Sequence, residues 1–329
     1  MTQKVCNQAR RHMLKGLGAA TLLSPLSSFP AWAAKPRRLY IDGLSFLPTD
    51  INDVKASKLD AFIADVSAIE TIEQADGTKN YKRTYEACIN SITQAANSVK
   101  ANPDVYLQGL TGTDISKAKT QQQTAVFFQI QGADCVENDG LSNEWQQLDN
   151  LHQQGLRVLQ LTHRYGNRYA GGALDNNGLN SLNTPLTTAG RELITELNRK
   201  NILIDVSHSS AQTALDAIKA SQSPVVQSHG AARAIVNNAR CSPDEVIRAI
   251  GDNGGVFGVF MMSFWLTNKP IPTIEDYIKQ LAYIAKVGGF DCVAIANDFP
   301  LRGQENLLAL DNNNSEGIKE YLEWWHSLE

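Results

Sequence analysis

The chain has 329 residues, of which 43% are hydrophobic and 19% charged, a profile that excludes a mainly disordered or fibrous protein. This length suits one large α/β barrel or two ordinary domains. Thirty Lys and Arg residues against 34 Asp and Glu residues give a net charge of -4, so no positive field attracts a phosphate backbone, and we predict no nucleic-acid partner.

The first 34 residues have the features of a twin-arginine signal peptide. Arg10-Arg11 is followed by a spacer, two apolar residues and a lysine, then by a weakly apolar run over residues 16–29 and a small-x-small cleavage site over residues 31–33. The run is too short to span a bilayer comfortably. We therefore predict export to the periplasm by the twin-arginine machinery and a mature chain over residues 35–329. The alternative is an ordinary N-terminus that happens to carry two arginines.

Eight short apolar runs in the rest of the chain have the length and composition of strands. Several are apolar throughout, as expected for strands that are buried on both faces. The predicted strands are Leu39–Asp42, Ala61–Val66, Ala125–Gln131, Arg157–Thr162, Ile202–Val206, Pro224–Ser228, Gly255–Met261 and Cys292–Ala296.

Helical patterns separate these runs. The predicted helices are Tyr81–Val99, Ala189–Lys200 with Thr188 as N-cap, Ala211–Ala220, Pro243–Gly251 and Ile274–Val287. Eight strands that alternate with helices predict a closed α/β barrel of the (β/α)8 type in a single domain. The alternative is an open, doubly wound sheet, although no Gly-x-Gly-x-x-Gly motif follows an early strand to support its dinucleotide-binding version.

One more amphipathic segment lies near the end of the chain. Ser315 is a candidate cap, and Ile318, Tyr321, Leu322 and Trp325 share one stripe at helical spacing. We predict that this segment forms the eighth barrel helix.

Four cysteines follow the predicted signal peptide: Cys88, Cys135, Cys241 and Cys292. They include no Cys-x-x-Cys pair, so the sequence gives no support to a thiolate zinc site or a thioredoxin-like motif. We interpret them as small buried side chains, with at most an adventitious disulfide.

Polar side chains follow five of the predicted strands. The active site of a (β/α)8 barrel lies at the carboxyl ends of the strands, so these residues are expected to converge. Three of them are histidines on different strands, which favours a shared functional role. The five residues are Gln131, His163, His208, His229 and Asp298.

Short motifs around these residues resemble those of the membrane (renal) dipeptidases, peptidase family M19, which are zinc-dependent barrel hydrolases that cleave dipeptides. They occur in the family's order with family-like spacing, and the resemblance extends from about Leu39 to Phe299. Beyond Phe299 it fades, so we expect a barrel that is short at its C-terminus. The motifs are Leu161-Thr162-His163, Ile204-Asp205-Val206-Ser207-His208, Ser228-His229-Gly230-Ala231-Ala232-Arg233, Ser242-Pro243-Asp244-Glu245-Val246 and Asn297-Asp298-Phe299.

The resemblance implies a role for each matching residue. His208 and His229 take the places of two histidine ligands of one zinc ion. His163 takes the place of the histidine that contacts the substrate and the developing oxyanion. Arg240 falls on the arginine that binds the substrate carboxylate, and Asp298 on the acid that handles protons near the scissile amide. The residue types suit these roles, because imidazole is a good zinc ligand and a guanidinium fork matches a carboxylate.

Three other metal-ligand positions of the family hold different residue types here. Leu44 and Phe46 replace the His and Asp ligands of the first strand, and Gln131 replaces the Glu that bridges the two ions. A catalytic zinc normally has three protein ligands plus water, so the family's two-metal mechanism is not expected. We expect at most one zinc ion, held by the two histidines with Asp298 or Gln131.

Three hypotheses for the function follow. The first is a periplasmic hydrolase of dipeptide-like amides with an altered, one-metal site. The second is a pseudo-enzyme that binds a peptide-like ligand through Arg240 and His163 without cutting it. The third, from family analogy, is an exported tailoring factor that acts on a peptide-derived metabolite by metal-free acid-base chemistry. In each hypothesis the partner is a small peptide-like molecule, and we further predict a homodimer.

Overall fold

The structure, a computed structural model, describes residues 38–73, 79–137, 140, 143–175, 184–269 and 271–301. The predicted signal peptide and the amphipathic segment that begins at Ser315 lie outside these residues. All the elements described below belong to the compact unit that starts at Leu39.

The strands of the described residues are short and mostly parallel. In chain order they are β1 (Ile41–Phe46), β2 (Ala61–Asp65), β3 (Glu70–Glu73), β4 (Lys79–Lys82), β5 (Tyr106–Gln108), β6 (Thr124–Gln131), β7 (Leu156–Gln160), β8 (Leu203–Asp205), β9 (Gln227–Gly230), β10 (Phe257–Val259) and β11 (Val293–Ile295). Only β3 and β4 pair antiparallel, as a hairpin between β2 and the following helix.

Two parallel sheets join into a closed ring. One has the order β1-β2-β6-β7-β8, with β5 paired to the start of β6, and the other has the order β9-β10-β11. A parallel bridge between Asp205 and Val226 links β8 to β9. At the other seam the backbone N–H groups of Asn297 and Asp298 donate to the carbonyl oxygen of Leu44, which links the end of β11 to β1. The predicted (β/α)8 barrel is thereby confirmed, and the open sheet is excluded.

The helices lie between the strands, and polar caps start most of them. They are α1 (Ile51–Ser57), α2 (Tyr85–Ala101), α3 (Thr113–Thr120), α4 (Gln146–Gln153), α5 (Thr188–Arg199), α6 (Ala211–Ala220), α7 (Asp244–Asp252), α8 (Ser263–Leu266) and α9 (Ile274–Gly288). The prediction of Thr188 as the cap of α5 was wrong by one residue. Thr187 has the extended backbone of a cap, and its Oγ1 accepts from the N–H of Gly190.

The first strand begins and ends later than predicted. Leu39 and Tyr40 precede β1 and remain 44% and 59% exposed. Pairing with β2 continues to Phe46, four residues beyond the predicted end at Asp42. Ser45 is buried, and its Oγ donates to the carbonyl oxygen of Phe299. This hydrogen bond satisfies the hydroxyl group, so a polar residue is tolerated inside the barrel.

None of the helices in the described ranges has the length and apolar character that a membrane crossing requires. The large buried side chains belong mainly to the strands and to the barrel-facing sides of the helices, for example Phe62, Phe128, Leu159 and Phe257. This packing fixes the strand ends, where the polar residues of the candidate site lie.

Candidate active site

The carboxyl ends of five strands bring the predicted site residues to one end of the barrel. Gln131 is the last residue of β6, and His229 lies within β9. His163, His208 and Asp298 follow the ends of β7, β8 and β11. All are buried except His163, which is half-buried. The parallel strand direction explains this convergence, because every carboxyl end points to the same mouth.

The three histidines form one contiguous cluster. The rings of His163 and His208 stack with centroids 4.3 Å apart, and those of His208 and His229 meet edge to face at 5.0 Å. The Nε2 atoms of His208 and His229 are 2.9 Å apart. Residues far apart in the sequence therefore present their imidazoles to a common space.

A hydrogen-bond chain fixes the tautomer of His229. The hydroxyl of Ser228 donates its single proton to Asp205 Oδ2, so its oxygen accepts from Nδ1 of His229 at 2.8 Å. Asp205 is fully buried and also accepts from the side chains of Ser207 and Gln129. Because Nδ1 of His229 carries the proton, its Nε2 lone pair faces His208.

His208 has one ring nitrogen without a partner. Its Nδ1 is buried and makes no hydrogen bond, while its Nε2 faces the Nε2 of His229. The 2.9 Å separation suits a hydrogen bond between the rings. It is also close to the roughly 3.3 Å between two nitrogens that bind one tetrahedral zinc ion at about 2.0–2.1 Å. The pair thus offers two zinc ligands in a plausible arrangement.

The remaining residues do not fit the two-zinc centre of the resemblance. Leu44, which the resemblance aligns with a histidine ligand, is 0% exposed and offers only hydrocarbon, and Phe46 follows on the same strand. Gln131 is buried and offers a neutral amide where the resemblance implies a bridging carboxylate. Across the described ranges, no three His, Cys, Asp or Glu side chains converge as a metal site. The described residues therefore do not supply the ligands that a pair of zinc ions would need.

Arg240 is a buried cation at the same end of the barrel. Its guanidinium carbon is 5.2 Å from the ring centre of Phe260 and 5.4 Å from that of Trp265, and these two rings stack on each other at 5.3 Å. One terminal nitrogen donates weakly to the carbonyl oxygen of His229, at 3.4 Å, and Nε has no partner. Burial lowers the pKa of Arg240 to about 10, against the opposing charge of Asp298. The group therefore stays charged at neutral pH and has free donors for an anion.

Burial also sets the protonation of the other site residues. Loss of hydration, followed by the charge of Arg240, holds the pKa values of His208 and His229 well below their usual range. Desolvation and the charge of Arg83 do the same for the pKa of His163. Burial raises the pKa of Asp298 to about 7, although Arg240 acts to lower it. At neutral pH the three imidazoles are thus neutral, Arg240 is a cation and Asp298 is partly protonated.

Three residues at the barrel mouth have left-handed backbone conformations that side chains rarely adopt. The φ angles are 65° at Arg164, 59° at His208 and 57° at Asp298. Such conformations cost free energy and persist where the surrounding structure imposes them, which is frequent at functional sites. Two of the three residues, His208 and Asp298, belong to the candidate site.

The sequence reasoning did not single out four residues that shape the site. Asp205 and Ser228 lie inside the motifs used above, but their link to His229 needs the distance between β8 and β9. Phe260 comes directly after β10, a position where only polar residues were sought. Trp265 lies on the short helix α8, and nothing in its sequence context indicated contact with Arg240.

An eight-stranded parallel barrel with histidines from three successive strands at its mouth defines a (β/α)8-barrel protein with a candidate active site at the carboxyl ends of its strands. The sequence model of the membrane dipeptidases, peptidase family M19, matches residues 40–313. The chain belongs to this family of metallopeptidases.

Individual relatives agree with this assignment. Dipeptidase tcpJ of Claviceps purpurea is 32% identical over 163 residues, which are 48% of this chain and only 37% of that protein. An amidohydrolase from Pseudomonas aeruginosa superposes with a TM-score of 0.69 at 26% identity, covering 82% of this chain and 77% of its own. A metallopeptidase from Rhodobacter sphaeroides, solved with a phosphinate mimic of L-Ala-D-Ala, has a TM-score of 0.67 at 16% identity, covering 84% and 93%, and shares the fold.

Proposed function

We propose that this chain binds a small dipeptide-like amide at the carboxyl end of its barrel without the two-zinc hydrolysis of its family. The proposal rests on the difference between the group suited to a ligand carboxylate and the residues at the expected metal-ligand positions. Arg240 is a buried cation with an unpartnered Nε, whereas the buried Leu44 and Gln131 have no charged group to offer at positions that the resemblance implies are metal ligands. The dipeptide mimic described for the Rhodobacter sphaeroides metallopeptidase supports this ligand class.

Each retained residue has a distinct task in such a complex. Arg240 binds the terminal carboxylate, because its free donors lie in a water-poor site where a charge-assisted hydrogen bond is strong. His163, stacked on His208 and half-buried, contacts the amide from the open side. Asp298, whose pKa of about 7 leaves it partly protonated, exchanges a proton with the amine or amide nitrogen.

One observation favours a second function, hydrolysis of the same amides with a single metal ion. The Nε2 atoms of His208 and His229 lie 2.9 Å apart with the His229 tautomer fixed for a ligand. Two nitrogens fall short of the three protein ligands of a catalytic zinc, so we derive no catalytic step from this arrangement. The same neutral imidazoles with Asp298 are the groups that metal-free acid-base tailoring of a peptide-derived metabolite would use.

We also propose that the protein works in the periplasm after export by the twin-arginine machinery. The support is the Arg10-Arg11 motif with its apolar run and cleavage site. An Arg10→Lys, Arg11→Lys double variant is expected to stay in the cytoplasm, as measured by cell fractionation. Equal periplasmic amounts of both proteins would contradict this location.

The decisive experiment measures metal, cleavage and binding on the full chain purified without chelator. Elemental analysis is expected to show less than about one equivalent of zinc, and L-Ala-L-Ala with added zinc is expected to remain uncut. Calorimetry should detect binding of L-Ala-L-Ala and a loss of about tenfold or more in affinity for its C-terminal carboxamide.

Arg240→Ala should abolish the preference for the carboxylate over the carboxamide. Arg157→Ala is the matched control, because it removes a guanidinium near the opposite end of the barrel, where β7 begins. Zinc-dependent cleavage by the unaltered chain would replace the proposal with the one-metal hydrolase. Absence of binding to either compound would refute the ligand class.

A further inference from the structure

A second buried arginine lies at the carboxyl end of the barrel. Arg83 follows β4, is 8% exposed, and has a buried Nε without a hydrogen-bond partner. A Cβ placed on Gly132, directly after β6, would lie 3.1 Å from Cδ of Arg83, so this glycine leaves room for the arginine at the strand end. The backbone N–H of Ala133 donates to the carbonyl oxygen of Leu161, just after β7. Arg83 is therefore one strand away from His163.

The two buried arginines, Arg83 and Arg240, flank the histidine cluster. His163, His208 and His229 come from β7, β8 and β9, which are neighbours in this order around the ring. Arg83 lies against the end of β6, before the first histidine, and Arg240 donates to the carbonyl oxygen of the last. After desolvation, the charges of both arginines lower the pKa of His163, in agreement with positions on either side of it. A ligand that lies across the histidines thus has a guanidinium at each end.

The acidic neighbours of Arg83 are directed to other donors. Oδ1 of Asp65 accepts from the backbone N–H and the hydroxyl of Ser67, and Oδ2 of Asp134 accepts weakly from Asn167 at 3.5 Å. Among the described residues, no hydrogen bond joins either carboxylate to Arg83. Burial lowers the pKa of Arg83, and the charges of both carboxylates oppose this. An arginine stays protonated in proteins, so the guanidinium has donors for a further anion.

The backbone around Arg83 is held on both sides. Nζ of Lys82 forms an ion pair with Oε2 of Glu137 at 3.0 Å, beyond the turn that follows β6. On the other side, Thr84 caps α2, and its Oγ1 accepts from the N–H of Ala87. Because the segment is already fixed, less conformational entropy is lost when the guanidinium binds a ligand.

We propose that Arg83 binds an acidic side chain on the amino-terminal residue of the dipeptide-like ligand. This inference rests on the proposed function, in which Arg240 binds the terminal carboxylate and His163 contacts the amide. With the terminal carboxylate at one end of the histidine cluster, the amino-terminal residue lies towards the other end, where Arg83 is. The preferred ligand therefore carries two acid groups. In a water-poor site a guanidinium favours a carboxylate over a neutral amide, because charge-assisted hydrogen bonds are the stronger ones.

Calorimetry of the full chain with L-Glu-L-Ala and L-Gln-L-Ala tests this preference. The two dipeptides have nearly the same size and differ in the charge of the amino-terminal side chain. The unaltered chain is expected to bind L-Glu-L-Ala about tenfold or more tightly than L-Gln-L-Ala. Equal affinities would overturn the proposal, whether or not any variant folds. If L-Ala-L-Ala binds and the two affinities are equal, this inference alone fails. If no dipeptide binds, the proposed function fails with it.

Variants assign the preference to one side chain. Arg83→Gln removes the charge, keeps a polar group and should make the two affinities about equal. Arg164→Gln is the matched control, because it removes another cation that acts on the pKa of His163, and it should retain the preference. Arg240→Ala should weaken both dipeptides by a similar factor, since both carry the terminal carboxylate. A preference that survives Arg83→Gln, or that Arg164→Gln abolishes as well, would overturn the assignment to Arg83.

Discussion

A buried carboxyl group in the first strand is expected to make the fold less stable as the pH rises. Asp42 is 6% exposed, and burial raises its pKa from 3.8 to about 6, although Oδ1 accepts from the backbone N–H groups of Asn297 and Leu44. The folded state therefore binds the proton more tightly than the unfolded chain. The contribution of this proton to the free energy of unfolding is fully present below the pKa that Asp42 has in the unfolded chain. It is lost as the pH rises through the pKa of Asp42 in the folded protein.

The pKa difference gives the size of the effect. About two pH units between the unfolded and folded pKa values correspond to about 3 kcal/mol, of which about 2 kcal/mol is lost between about pH 4.5 and pH 7. Asp42→Asn keeps an oxygen to accept both hydrogen bonds and removes the charge. The variant should therefore gain about 2 kcal/mol relative to the original chain over this pH range, measured by urea unfolding at each pH.

A carboxyl group with the opposite shift serves as control. Partial desolvation acts to raise the pKa of Asp114, but hydrogen bonds from the backbone N–H groups of Leu110 and Thr111 outweigh it and lower the pKa. Its stabilisation is present at neutral pH and is lost in acid, so Asp114→Asn should be less stable than the original chain at pH 7, with a difference that shrinks in acid. A pH-independent difference for Asp42→Asn would refute the reasoning about burial.

Three further predictions concern the site. Trp265→Leu removes one ring of the stack on Arg240 and should weaken dipeptide binding about 3–10-fold with carboxamide binding unchanged; calorimetry showing equal losses for both ligands would contradict this. Ser228→Ala leaves Nδ1 of His229 without a partner and should lower the free energy of unfolding in urea by about 1–3 kcal/mol. Nitrogen NMR should then show a mixture of His229 tautomers. An unchanged tautomer would contradict the role of Ser228 in holding the proton on Nδ1. A triple variant should raise the zinc content by at least about one equivalent; it combines Leu44→His, Phe46→Asp and Gln131→Glu. If elemental analysis shows no gain in zinc, the alignment of these three residues with the family's metal ligands is wrong.

The sequence was sufficient for the barrel because its strands are apolar. Each of the eight predicted runs overlaps a strand of the ring, since burial on both faces favours apolar residues. The polar strand β9 overlaps only the end of its predicted run, Pro224–Ser228. The hairpin of β3 and β4 was missed for the converse reason. Its residues are largely polar and those of β3 are mostly exposed, so its pairing rests on backbone hydrogen bonds that leave no hydrophobic pattern.

The site was predictable only in part. Strand ends and motifs indicated which residues lie at the mouth, because parallel strands expose their carboxyl ends together. The hydrogen-bond chain from Asp205 through Ser228 depends on the spacing of β8 and β9, which no local pattern encodes. The contact of Trp265 with Arg240 likewise arises from the path of the chain after β10. The identity of the residues at the barrel mouth was therefore predictable from the sequence, whereas their protonation and orientation required the structure.

The neutral residues at the expected metal-ligand positions share one electrostatic effect, which is to remove negative charge from the barrel mouth. The resemblance aligns Phe46 and Gln131 with carboxylates of the family, whose charge divalent ions would balance. A carboxylate left here without such ions would be costly, as the raised pKa values of Asp42, Asp65 and Asp298 show. Neutral residues at both positions avoid that cost. The guanidinium of Arg240 then lies among neutral imidazoles, with Asp298 and Asp205 as acidic neighbours. Its buried Nε has no partner within the chain, so it is the donor that an incoming carboxylate of the proposed ligand requires.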